Sequence, residues 1–474
     1  MTNYRSALRV WPVVGLLAVG AGTASGQWPQ FRGPNGSGVG SAAGYPVAFS
    51  PSSNVVWKTA MPYGQSSPVV AGQHVYLTAA DAGRLLTICL DATTGRELWR
   101  REIRPTRSQK AFRANDPASP TPAADEDGVI VFFADFGLAA YTPEGKDRWT
   151  VPLGPFKNFY GMAASPIITG DVAVLACDQQ SGSFLLAVDR KTGRQRWKTA
   201  RAGATIGWAT PMVFRPAAGA PAQLIVLGST RLDAYALQTG EPQWWMPLGS
   251  GGAMGTAVAS GETLYVSTLA TSEPWMPSFA SVLAQYDKDK DGRLSLQEFR
   301  GDKDLGEHFG WIDTDADNLV TAQEWNTART MGMGEYGAVA IRPEHARGQL
   351  DPRAVVWRFK KNLPYIPAPL LYDGVFYMVK SGGIVTSVDP TTGTILKQGR
   401  TEKALGEYFA SPVAGDGKIF AVSEEGKMTV LKAGAQWEVL AVNELGEEVY
   451  ATPAISGATV LVRTRGALYR FGTR

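Results

Sequence analysis

Asp91-Ala92-Thr93-Thr94-Gly95-Arg96-Glu97-Leu98-Trp99 reads as a tight turn running into a strand. The Asp side chain can accept from backbone N–H groups just ahead of it, and Gly supplies the positive φ that such a turn needs. The Trp then places a large ring in the strand, where it needs a neighbour to cover it. The stretch returns as Asp189-Arg-Lys-Thr192-Gly193-Arg-Gln-Arg-Trp197. Looser copies are Gly145-Lys-Asp-Arg-Trp149 and Thr239-Gly240-Glu-Pro-Gln-Trp244. Ahead of each copy stand two or three short apolar runs, and these are opened by a Ser/Thr-Pro pair: Ser67-Pro68, Ser119-Pro120, Ser165-Pro166 and Thr210-Pro211.

Followed to the end, the pattern makes eight units of roughly 45 residues with four strands each. The fifth opens near Thr256, breaks after Thr271, resumes near Tyr336 and ends at Trp357. The sixth opens at Ala368-Pro369 and lacks the Trp. The seventh runs from Ser411-Pro412 to Trp437, and the eighth opens at Thr452-Pro453 and stops one strand short. Asn54-Val-Val-Trp57-Lys58 matches the missing closing strand. The expected fold is therefore all-β: an eight-bladed β-propeller closed by the N-terminal strand, which leaves no open sheet edge between first and last units. The expected divisions are an export signal over 1–26, propeller over 27–271, an insert over 272–335 and propeller over 336–474.

Asp91–Trp99 and Asp189–Trp197 resemble the quinoprotein-type β-propeller repeat, also called the PQQ-like repeat. Trp28-Pro-Gln-Phe-Arg-Gly-Pro-Asn35 looks like the opening of exported members of that family. The resemblance implies an eight-bladed ring. It also implies two kinds of relative: quinoprotein dehydrogenases that hold PQQ, and non-enzymatic propellers that serve as assembly scaffolds.

The insert carries two twelve-residue stretches. In the first, Asp287, Asp289 and Asp291 alternate, Gly292 allows a sharp turn, Arg293 offers its carbonyl, Ser295 its hydroxyl and Glu298 a bidentate carboxylate. Such a hard-oxygen set at this spacing suits Ca2+. The second repeats it with Asp313, Asp315, Asp317, Leu319 (carbonyl), Thr321 and Glu324, and with Asn318 in place of the Gly. The flanks match: Phe279, Val282, Leu283 and Tyr286 before the first, and Leu305, His308, Phe309 and Ile312 before the second, at helical spacing. Leu294 and Val320 sit at loop position eight, where paired loops join in the EF-hand family that this insert resembles. Residues 287–324 hold eleven acidic and five basic side chains. That crowding is unfavourable without a cation; the alternative is an acidic surface insert that binds nothing. His308 is expected in the helix core.

Composition narrows the remainder. Hydrophobic residues make up 44% and charged ones 19% of 474, with 53 Gly and 30 Pro, which suits many short strands and tight turns. Arg5 and Arg9, the apolar run Val10–Val19 and Ala24-Ser25-Gly26 read as a cleavable signal, with a membrane anchor as the alternative. The protein is thus expected to be exported, periplasmic or extracellular, with no membrane span after cleavage. Cys89 and Cys177 lie in apolar runs and read as buried free thiols. A net charge of +3 gives no case for nucleic acid.

No catalytic constellation stands out. His74, His308 and His345 lack an obvious nucleophile partner. The vicinal cysteine pair expected of a quinoprotein dehydrogenase is missing, and no residue maps onto its catalytic Asp. Aromatic residues recur just before the first strand of several blades: Tyr63, Tyr160, Trp208, Tyr365, Tyr408 and Tyr450. They suggest a rim that binds a protein or small-molecule partner at one mouth of the ring, the alternative being inter-blade packing. The leading function is a calcium-binding exported propeller acting as a binding or scaffold module. A PQQ-dependent oxidoreductase is the runner-up, and an inactive descendant of such an enzyme a third reading.

Overall fold

The computed structural model describes residues 26–108, 115–248, 254–268, 276–315, 317–333, 335–344 and 346–473. Residues 1–25 of the candidate export signal and His345 lie outside them. Among the described residues eight sheets form the ring, each built on four antiparallel strands, and a two-stranded bridge lies in the insert. Blade 1 shows the plan: Val69–Ala71, His74–Asp81, Arg84–Asp91 and Glu97–Ile103, hydrogen-bonded in that order. Middle strands are buried along their whole length, as in Gly128–Phe133 and Val172–Cys177. Outer strands alternate, as in Gln195–Ala200, because one face packs on the next blade and the other meets water.

The ring closes through both termini. Val55–Ala60 pairs antiparallel with Ala467–Gly472, as the outer strand of blade 8. Arg463, on the second strand of blade 8, is fully buried and donates to Ser66 O at 3.2 Å, Ser66 Oγ at 2.7 Å and Thr78 O at 2.7 Å of blade 1. A second buried cation, Arg201, joins blades 3 and 4 through Asp178 at 2.6 and 3.1 Å and Asp233 at 3.4 Å.

The Trp–Gly repeat is the joint between blades. Trp57, Trp99, Trp149, Trp197 and Trp357 each lie on the turn glycine of the following blade: Gly95, Gly145, Gly193, Gly240 and Gly393. A Cβ on any of these glycines would stand within 2.7 Å of the ring, and all five have φ between 71° and 79°. Each indole also donates to a carbonyl of the following blade, at Ala92, Pro143, Arg190, Leu237 and Pro390. The Asp that opens the turn fixes it: Asp91 Oδ1 accepts from Thr93 N, Thr94 N and Thr94 Oγ1. Blade 4 departs from the plan. Trp244 bonds its own blade's Gln223, and its outer strand Pro242–Pro247 gains a parallel partner, Gly348–Gln349, from an excursion of blade 5.

The insert leaves blade 5 between Thr263–Thr268 and Gly337–Ile341. It contains α1 (Phe279–Tyr286), α2 (Lys303–Ile312) and α3 (Ala322–Met333). Ser278 and Asp302 cap the first two by accepting from Ser281 N and Leu305 N. His308 is exposed, contrary to the sequence expectation. The buried stripe of α2 runs Leu305, Phe309, Ile312, and His308 falls beside it, with Nδ1 2.6 Å from Asp304 O.

Candidate functional site

Two places concentrate chemistry. The first is the pair of acidic loops. Leu294–Ser295 and Leu319–Val320 form a two-stranded bridge that pairs Leu294 with Val320, both fully buried. The bridge sets the loops back to back. Carboxylate oxygens of Asp287, Asp289 and Asp291 lie within 4.8 Å of one another, as do those of Asp313, Asp315 and Glu324. Gly292 has φ 79° and Asn318 φ 69°, so Asn takes the same left-handed turn as the glycine it replaces. Both turns tie their N–H to the first carboxylate: Gly292 N to Asp287 Oδ2 at 3.1 Å, Asn318 N to Asp313 Oδ2 at 3.0 Å.

The last carboxylate of each loop is held by donors. Glu298 accepts from Lys288 N, Ser295 N and Ser295 Oγ at 2.7–2.9 Å. Glu324 accepts from Thr314 N and from Thr321 N and Oγ1, at 2.8–2.9 Å. Burial opposes ionisation at both, but these hydrogen bonds outweigh it and keep both carboxyls below the usual range. Thr321 and Glu324 are also a capping box for α3, since Glu324 N donates back to Thr321 Oγ1. Asp287 Oδ1 is buried without a hydrogen-bond partner. Asp317 Oδ1 accepts from Leu319 N, and Asp291 Oδ1 from Arg293 N. The segment after Glu298 forms turns rather than a helix.

The second place is a well of about 390 Å³ on the axis of the ring. Its wall includes Ser67, Thr121, Ser165, Thr210, Ser411 and Thr452, each at the start of an inner strand. These are the residues of the Ser/Thr-Pro repeat. In blade 2 the working pair is Thr121-Pro122 and not Ser119-Pro120, because the strand begins at Ala123. The hydroxyls link neighbouring blades. Thr121 Oγ1 accepts from Ser67 N, Ser165 Oγ from Thr121 N and Thr210 Oγ1 from Ser165 N, at 2.9–3.1 Å. Ser411 Oγ accepts from Ala368 N and Thr452 Oγ1 from Ser411 N, both at 3.0 Å.

Above the hydroxyls stand Tyr160, Trp208, Tyr365, Phe409 and Tyr450. Four of the six aromatic residues marked in the sequence thus line the well. Tyr408 does not: it is 2% exposed, packs between blades 6 and 7, and donates to Ala404 O at 2.9 Å. Phe409 takes its place, because in an extended segment a one-residue step turns the side chain to the other face. Tyr63 also stays off the lining; it accepts from Gln65 Nε2 and lies under the Arg465 guanidinium. The floor is Phe31. The segment that carries it crosses the ring, bonding blade 1 through Trp28 and Val70, blade 2 through Pro29 O and Ala124 N, and blade 4 through Asn35 and Val213. It continues to blade 6 through Arg32 and Pro369, and to blade 7 through Gly38, Gly40 and Ala414. These partners lie further along the inner strands than the hydroxyls do, so the segment closes the far end of the channel.

The two places touch. Ile206 and Trp208 pack into the core of the insert. Lys157 Nζ donates to Asp315 O at 2.8 Å, and Gln180 Nε2 to Gly310 O and Asp313 O at 3.3 Å. The insert therefore rests beside the open mouth. Cys89 and Cys177 are free and buried in the sheets of blades 1 and 3.

The family model described as outer membrane protein assembly factor BamB matches residues 39–244 and 312–473. The chain belongs to this family. No curated protein shows significant similarity in sequence. Among solved structures, BamB from Moraxella catarrhalis is similar at 12% identity and TM-score 0.55, over 88% of this chain and 98% of that one. A europium-containing methanol dehydrogenase gives 12% and 0.57, over 95% and 99%. Quinohemoprotein alcohol dehydrogenase from Comamonas testosteroni gives 12% and 0.56, over 95% and 81%. At these identities the likeness establishes the fold. The ring alone names no catalytic residue, because an assembly factor and dehydrogenases share it. No helix among the described residues is long and apolar enough to cross a membrane.

Proposed function

We propose that the protein is a calcium-binding, exported propeller that acts as a binding or scaffold module. The observation that carries the calcium reading is the bridged pair of loops, each with three carboxylates drawn together around an all-oxygen donor set. Asp287, Asp289, Asp291 and Glu298, with Arg293 O and Ser295, would hold one ion. Asp313, Asp315, Asp317 and Glu324, with Leu319 O and Thr321, would hold the other. The unpartnered, buried Asp287 Oδ1 fits a cation. Bound calcium would offset the mutual repulsion of the carboxylates and stiffen the insert against the ring. Export rests on the N-terminal signal pattern.

The competing reading is a PQQ-dependent oxidoreductase, and the described lining of the well fits that cofactor poorly. PQQ is a tricarboxylate, and among the described lining residues there is neither a cation to pair with it nor a carboxylate to act as base. The two cysteines sit in different blades. Titrating PQQ into calcium-loaded protein should give no saturable change in the cofactor's absorbance. Stoichiometric binding would favour the oxidoreductase.

A further inference from the structure

The well has a chemistry of its own. Six hydroxyls from six blades surround it: Ser67, Thr121, Ser165, Thr210, Ser411 and Thr452. Five of them already accept a backbone N–H from the neighbouring blade. A hydroxyl that accepts one bond still holds its own proton and a second lone pair. The belt can therefore both donate and accept along the arc of blades 7, 8 and 1 to 4. Asn115 adds an acceptor: its Nδ2 donates to Tyr160 O at 2.6 Å, while its buried Oδ1 has no hydrogen-bond partner. Above the belt is the aromatic collar, and no charged side chain stands among the described lining. Phe31 closes the bottom, so a ligand enters and leaves by the collar.

The described lining offers an ion no counter-charge, and burying a charge without one is costly. A flat aromatic ligand would satisfy few of the circumferential hydroxyls. A saturated ring with hydroxyls at its edge and C–H groups on its faces matches both layers, the belt meeting the hydroxyls and the collar the C–H faces. We propose that the central well is a binding site for a neutral saccharide. The volume of about 390 Å³ lies within the range of small-molecule sites and suits one or two sugar rings. Tyr365 is the collar residue best placed to test this: it lines the well, yet is 53% exposed and so contributes little to the fold.

This assignment rests on reading the protein as a binding module, and the test separates the two. Calorimetry on the full chain with calcium would be run against a panel of neutral hexoses, N-acetylhexosamines and disaccharides, with glucuronate and PQQ as charged controls. Saturable binding of a neutral sugar, weakened tenfold or more in Tyr365→Ala and restored in Tyr365→Phe, is the expected result. No saturable heat from any neutral sugar, tighter binding of the charged controls, or sugar binding unchanged in Tyr365→Ala would overturn it. If Ala163→Trp, which fills the well, abolishes capture of a protein partner while no sugar binds, the saccharide assignment falls and the binding-module reading stands.

Discussion

At the scale of the residue, Gly193 shows what the repeat protects. It has φ 71°, and a Cβ would come within 2.7 Å of the Trp149 ring. Gly170 has φ 57° and open space around it. Left-handed backbone costs a non-glycine residue roughly 1–2 kcal/mol, and overpacking a core about 1–3 more. Gly193→Ala should therefore cost about 2–5 kcal/mol and Gly170→Ala about 1–2, read as shifts in urea midpoint. Equal shifts would mean that the indole contact is not what fixes the glycine. These joints were legible in the sequence because Gly and Trp each do one local, recurring job. Tyr408 was misread because neither face of its segment is marked by periodicity, and its neighbour Phe409 is equally aromatic. Thr121 was obscured by a doubled motif, Ser119-Pro120-Thr121-Pro122.

At the scale of the element, the middle strands are sealed by the blades on either side. Cys89 lies in Arg84–Asp91, and burial pushes its thiol up to about 12; Cys177, in Val172–Cys177, is pushed well above the usual thiol range by the same cause. The thiolate is the reactive form, so a raised pKa means that reactivity is missing at neutral pH and appears only at strongly alkaline pH or on unfolding. At pH 8 the native protein should react with a disulfide reagent at least ~1000-fold more slowly than the urea-unfolded chain. Rapid native labelling would show that the strands open. The paired turns of the insert and their bridge were legible because the same twelve-residue pattern recurs with matched flanks within one short segment. The hydroxyl belt was not: each Ser/Thr-Pro pair reads locally as a strand opener, and its second role emerges only when the ring brings six of them to one axis.

At the scale of the molecule, closure depends on a strand far from its partners in sequence. Val55–Ala60 covers the edge of Ala467–Gly472, and Trp57 docks on Gly95. A chain beginning at Met61 loses that strand, while one beginning at Ser50 loses only the segment that crosses the channel and its flank. The shorter chain should lose its cooperative thermal transition and the longer one keep it, at a lower Tm. Similar melting of both would show that the ring does not need its closing strand. The closing strand was legible from its likeness to the other outer strands. The crossing segment was not, because Trp28–Gly40 has no periodicity and gains its structure from contacts with inner strands of five blades, from Val70 to Ala414.

The measurement that tests the central claim most directly is a calorimetric calcium titration of the full chain, beside Glu298→Gln and Glu324→Gln. Two saturable sites are predicted for the native protein, with affinities on the order of 0.1–1 mM or tighter, and one site in each variant with the propeller still folded by circular dichroism. No calcium binding at 10 mM, or native binding untouched by either substitution, would contradict the account.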